Sequence, residues 1–102
     1  MRRAAKIDNN QKEIVATLRQ IPGISVETGH DDIIVGYTGA DGIPRTYWYE
    51  IKNPKRAVNK KTGKIKQYEI KESQKKLLRE FRGHYRIVSS VQEILLDLKI
   101  AG

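Results

Sequence analysis

The chain has 102 residues, no cysteine and a formal net charge of +8, which fits one modest domain and leaves no thiolate for a disulfide or a zinc site. No apolar run approaches the roughly 20 residues of a membrane span, and Met1-Arg2-Arg3-Ala4-Ala5 lacks the apolar stretch of a signal peptide, so a soluble, cytoplasmic protein is expected. The charge is unevenly placed: Lys52 to Arg86 holds 13 Lys or Arg against three Glu, a balance of +10, while the remainder carries seven basic and nine acidic residues.

In chain order, Asp8 to Gln20 carries Ile14, Val15 and Leu18 at helical spacing, with Asp8 and Gln11 placed as a capping pair and Pro22-Gly23 beyond the end. Ile24-Ser25-Val26 predicts a short strand. Asp32-Ile33-Ile34-Val35-Gly36-Tyr37 and Thr46-Tyr47-Trp48-Tyr49-Glu50-Ile51-Lys52 are rich in β-branched and aromatic residues and read as a hairpin turning across Gly39 to Pro44. Asn53 to Gln67, with Pro54, Gly63 and a run of lysines, reads as a mobile loop that orders on binding. A second helix is predicted from Glu72 to Arg82, burying Leu77, Leu78 and Phe81 and stopping at Gly83, with His84 capping its end. Tyr85-Arg86-Ile87-Val88 reads as a fourth strand. Ser90 and Glu93 form a capping box ahead of a last helix whose Val91, Ile94, Leu95 and Leu98 share a face. The order αβββαβα, without repeats, predicts a single α/β domain, a three-layer α/β/α sandwich about a mixed four-stranded sheet.

Strand side chains alternate faces, so Glu50 and Lys52 share one. An acid opening one strand and Glu50 closing the next supply the hard oxygen ligands that Mg²⁺ or Mn²⁺ takes, and a lysine beside them suits charge developing on a phosphate. Asp32 opens the strand, but Asp31 competes for the role, because a shift of one residue reverses the face. His30, next to these acids, reads as a phosphate contact or an exposed turn residue. Trp48 and Tyr49 point to opposite faces; packing in the core or a dimer competes with base stacking for whichever stays outside. The +10 segment follows this site directly, as a polyanion-binding surface requires, though charge alone fits a solvated lysine-rich surface equally well. It lacks the apolar face of a membrane-surface helix.

Asp32, then Glu50-x-Lys52 after a hairpin, in an αβββαβ frame, resembles the PD-(D/E)xK nuclease superfamily, and most closely its small stand-alone VRR-NUC and Holliday-junction-resolvase-like members of phages and prophages. The resemblance runs from the first helix to the last, through Asp32 to Tyr37, Tyr49 to Lys52, Gln74, and Tyr85 to Glu93. Asp31 stands where the family carries Pro. The resemblance implies a restriction-endonuclease-like fold, metal held by Asp32, Glu50 and the Ile51 carbonyl, and Lys52 assisting the attacking water. It also implies that Gln74 holds the lysine or a phosphate, and that Glu13 of the first helix adds a ligand, with Asn10 and Gln11 as rivals for that position. The expected activity is divalent-metal-dependent DNA endonuclease, with phosphates met by Lys55, Arg56, Lys60, Lys61, Lys64 and Lys66. Size and resemblance imply a homodimer. The rivals are a non-catalytic DNA-binding module on the same fold and a domain whose basic patch meets an acidic protein.

Overall fold

The computed structural model describes residues 9–29 and 32–100. Asp8, His30 and Asp31 lie outside them, and with them the Asp8 cap and the Asp31 alternative. The elements are α1 (Asn9–Arg19), β1 (Ile24–Thr28), β2 (Asp32–Thr38), β3 (Pro44–Ile51), α2 (Pro54–Ala57), a 3₁₀ turn (Gln67–Glu69), α3 (Glu72–Glu80), β4 (Tyr85–Val88) and α4 (Val91–Leu98). The sheet order is β1-β2-β3-β4. The first three strands form an antiparallel meander and β4 runs parallel to β3, so this is a mixed α/β fold with a four-stranded mixed sheet. Among the described residues, no helix is long and apolar enough to cross a membrane.

The core occupies one face of the sheet. Val26, Ile33, Val35, Tyr49, Ile51 and Val88 alternate inward there, against Ile14, Val15 and Leu18 of α1 and Ile94 and Leu98 of α4. Each fully buried aliphatic side chain contributes about 1.5–3 kcal/mol by leaving water, which fixes the register: slipping a strand by one residue would expose this whole set. The opposite face carries Asp32, Trp48, Glu50 and Tyr85. There α3 lies against β4, and Phe81, just beyond the helix, packs edge-on against Trp48 with ring centroids 5.3 Å apart.

Several expectations need correcting. The helix expected to reach Arg82 ends at Glu80. Its buried positions are not the predicted Leu78 and Phe81, which are 45% and 43% exposed, but Gln74, with Ile70 buried just ahead of the helix. Only Leu77 of the predicted stripe is half-buried. The helix ends before Phe81, which leaves that ring part-exposed at the edge of the sheet, perpendicular to Trp48. The stretch expected as an irregular loop contains local structure instead. Asn53 caps α2 by accepting from Lys55 N at 3.0 Å, Val58 bridges Ile65, and Lys66 N donates to Ala57 O at 2.6 Å. The strands also extend past their expected ends, β1 to Thr28 and β2 to Thr38, while β3 starts at Pro44 and stops at Ile51. The Ser90 cap holds: its hydroxyl accepts from Glu93 N at 3.3 Å, and Glu93 Oε1 returns to the amide of Ser89, at 2.7 Å, rather than to that of Ser90.

Candidate active site

The antiparallel register sets Asp32 directly opposite Glu50. Such pairs place their Cβ atoms about 4.5–5.5 Å apart on one face, where two like charges repel unless a cation lies between or beside them. Glu50 is 5% exposed, so its carboxylate lies largely out of water, while Asp32 and Lys52 are half-buried. Lys52 follows Glu50 by two residues, just past the strand end, and Lys52 N donates to Val88 O at 2.8 Å, which carries the pleat one residue further. Trp48 N likewise donates to His84 O at 3.0 Å. Even-numbered residues of β3 therefore turn their amide groups toward β4, and the alternation sends the Ile51 carbonyl to the β2 side, where Asp32 stands.

Asp32 is held by its surroundings. The Trp48 indole Nε1–H donates to its Oδ2 at 2.9 Å. Its Oδ1 lies over Gly29, so close that a Cβ at that position would sit 2.3 Å away. Gly29 N also donates to Asp32 O at 2.8 Å, closing the turn between β1 and β2. Trp48 in turn packs edge-on against Tyr85, with centroids 4.9 Å apart.

The first helix contributes differently from expectation. Asn10 reaches the site's edge, its Nδ2 donating to Lys52 O at 3.0 Å, and its buried Oδ1 has no hydrogen-bond donor among the described residues. Gln11 is buried and lines a cavity of 290 Å³ with Thr28 and Gly29, behind the turn that Asp32 overlies. Glu13 is exposed and borders a groove with Asn10, Pro54, Ser89 and Gln92. It does not join Asp32 and Glu50: among the described residues no three His, Asp or Glu side chains converge as a metal-binding group. One helical turn separates Asn10 from Glu13, and Asn10 takes the place at the end of β3. Gln74 is engaged within its own helix. Its Oε1 accepts from Lys71 N at 3.0 Å and so caps the first turn of α3, where the chain has no Ser, Thr or Asp to do so.

The donor set fits the implied metal. Two carboxylates from adjacent strands and one backbone carbonyl are hard oxygen donors, and Mg²⁺ is characteristically held by one or two carboxylates while water and substrate phosphate complete its shell. No soft ligand enters, since the sequence has no cysteine. The predicted phosphate contacts are spread over one excursion: Lys55 and Arg56 on α2, Lys60, Lys61 and Lys64 at an exposed tip, and Lys66 with its ammonium 5.8 Å from the centroid of the Tyr68 ring.

A second polar cluster escaped the sequence reading. Asp97 Oδ2 accepts from the Tyr49 hydroxyl at 2.6 Å and is joined by His84 Nε2, while Arg86 Nε lies 3.9 Å from Oδ1. His84 therefore ties β4 to α4 instead of capping α3. Tyr47 covers it edge-on with centroids 4.8 Å apart. Burial pushes the Tyr49 hydroxyl strongly upward, and its bond to Asp97 adds to this. Burial also works to raise Asp97, but hydrogen bonds from Tyr49 and His84 outweigh it and hold the carboxyl below its ordinary value. The available signal was Asp97 itself, an acid three residues after Ile94 on the edge of an inward stripe. At the hairpin tip, Asp41 is held at about 2 by the Arg45 guanidinium and the Ile43 N–H.

A scan against protein-family models finds no match to this chain, and searches of curated proteins and of solved structures return no relative.

Proposed function

We propose that the protein is a divalent-metal-dependent DNA endonuclease of the PD-(D/E)xK class, on a restriction-endonuclease-like three-layer core, acting as a homodimer. The observation that carries this reading is the direct opposition of Asp32 and Glu50 across β2 and β3, with Lys52 next on the same pleat and a run of basic residues following. Two carboxylates set opposite one another on adjacent strands, with a backbone carbonyl turned to the same side, offer a divalent cation the hard oxygen donors it takes.

Asp32, Glu50 and the Ile51 carbonyl would hold Mg²⁺ or Mn²⁺, which when bound supplies Lewis-acid polarisation of a phosphate and a water of lowered pKa. The Lys52 ammonium, projecting beside Glu50, orients the attacking water for in-line displacement and offsets negative charge gathering on the phosphate oxygens. Lys55, Arg56, Lys60, Lys61, Lys64 and Lys66 bind backbone phosphates and position the strand without reading its sequence.

The test is cleavage of labelled branched, single-stranded and duplex DNA with Mg²⁺, Mn²⁺ or EDTA, comparing wild type with Lys52→Ala. Metal-dependent cutting that disappears in the variant is expected. Salt-dependent binding with no cutting by either protein would replace this reading with a non-catalytic DNA-binding module.

A further inference from the structure

Trp48 is the single tryptophan of the chain, and its side chain is engaged on three sides. The ring packs against Phe81 and Tyr85, and the indole N–H donates to Asp32 Oδ2. The sheet register explains the contact: Trp48 lies opposite Ile34 and Asp32 opposite Glu50, so Trp48 and Asp32 are diagonal neighbours on one face. From the other side, Gly29 leaves room for Asp32 Oδ1 that no side chain at that position would leave.

We infer that Trp48 and Gly29 are positioning residues for the metal site, together fixing the carboxylate of Asp32 in one orientation, and that Trp48 is a built-in optical reporter of metal binding. The inference rests on the metal-binding reading above. Three physical points lead to it. An Asp at the first residue of a strand swings freely about two side-chain torsions, and a ligand that must be ordered on binding binds metal more weakly than one already ordered. A neutral indole donor orders the carboxylate without neutralising it, leaving its charge for a cation, whereas a lysine or arginine in the same place would compete with the metal. Ligating carboxylates are commonly hydrogen-bonded in this way, and loss of such a partner typically costs 10–100-fold in metal affinity. The edge-on packing of Phe81 and Tyr85 keeps the indole from turning, so the orientation of Asp32 is ultimately set by the aromatic layer between α3 and β4.

The experiment is a titration of the full chain with Mn²⁺ and Mg²⁺ in the absence of DNA, followed by calorimetry for wild type, Trp48→Phe, Gly29→Ala and Asp32→Asn, and by tryptophan emission for wild type. Circular dichroism melts show that each variant is folded. Trp48→Phe keeps a ring between Phe81 and Tyr85 while removing the N–H donor. A saturable emission change in wild type, a 10–100-fold weaker affinity in Trp48→Phe and Gly29→Ala, and loss of binding in Asp32→Asn are expected. If Asp32→Asn abolishes binding but Trp48→Phe binds as wild type does, the positioning role is overturned while the metal site stands; if emission stays constant through saturation, the reporter role is overturned. If wild type binds neither ion, the metal-binding reading fails and takes this inference with it.

Discussion

Two neighbouring residues of β3 serve two polar clusters of opposite character. Tyr49 points into the core and donates to Asp97, whose carboxylate also receives His84 and lies near Arg86, so the charge is answered by donors from the chain itself. Glu50 points to the other face and lies opposite Asp32 in the register, and Asp32 accepts from the neutral Trp48 indole. A satisfied network adds stability and specifies packing. The contrast separates a latch that joins α4 to the sheet from the face on which the proposed metal site is built.

Substitutions should separate the two clusters. The largest effect is expected from Glu50→Gln: under the proposed mechanism, cleavage is abolished in a variant that still folds. Single-turnover cleavage read beside the thermal midpoint checks this, and full activity in the folded variant would remove Glu50 from the mechanism. Asp97→Ala should do the reverse. It leaves the buried Tyr49 hydroxyl without its acceptor, costing about 1–3 kcal/mol, with the cleavage rate of the folded protein retained; a denaturant midpoint equal to that of wild type would show that the latch carries no stability.

A smaller effect is expected from pH. The folded value of Asp97 lies below its ordinary value of 3.8, so its contribution is present in full above that value and is lost as pH falls through the folded one. Denaturation of wild type and Asp97→Asn followed from neutral to acid pH should show the gap between them narrowing only in the acid range. A gap that narrows near neutrality would mean that another group governs the latch. The smallest effect belongs to Asp41→Ala. Its ion pair with Arg45 is exposed on both sides, water and salt screen it, and no measurable change in melting temperature is expected; a clear drop would show that the turn itself depends on Asp41.

The strands and outer helices were legible because their signals are local. Ile14, Val15 and Leu18 repeat at helical spacing, Ile33 and Val35 alternate, and Ser90 announces the helix that follows it. That an acid of β2 and Glu50 of β3 share a hairpin was legible as well, but which acid lies opposite Glu50 was not, because Asp31 and Asp32 compete and only the paired register decides between them. What stayed hidden depends on partners distant in sequence. Nothing near Gln74 says that its amide will replace a missing cap, and nothing in Trp48 says that its N–H meets Asp32, since that contact needs the diagonal of a sheet already in register. His84 and Asp97 are brought together only when β4 pairs beside β3 and α4 folds back across the sheet. Phe81 misled because an aromatic residue at helical spacing suggests burial, whereas the helix stops one residue short of it and the ring stays 43% exposed beside Trp48.

The tip of the basic excursion has a base of its own. Val58 bridges Ile65, Asn59 N donates to Lys64 O at 2.8 Å, and Asn59 Oδ1 collects the amides of Lys61 and Thr62. Gly63, at φ +73°, turns the chain back within this closed frame. Because the amides of Lys61, Thr62 and Gly63 close this frame, a change of length at 60–63 would open it, whereas the side chains of Lys60 and Lys61, exposed at the tip, can be recharged with the frame kept. If the protein binds DNA as proposed, the charge that meets phosphate can change at this tip while Asp32 and Glu50 stay as they are.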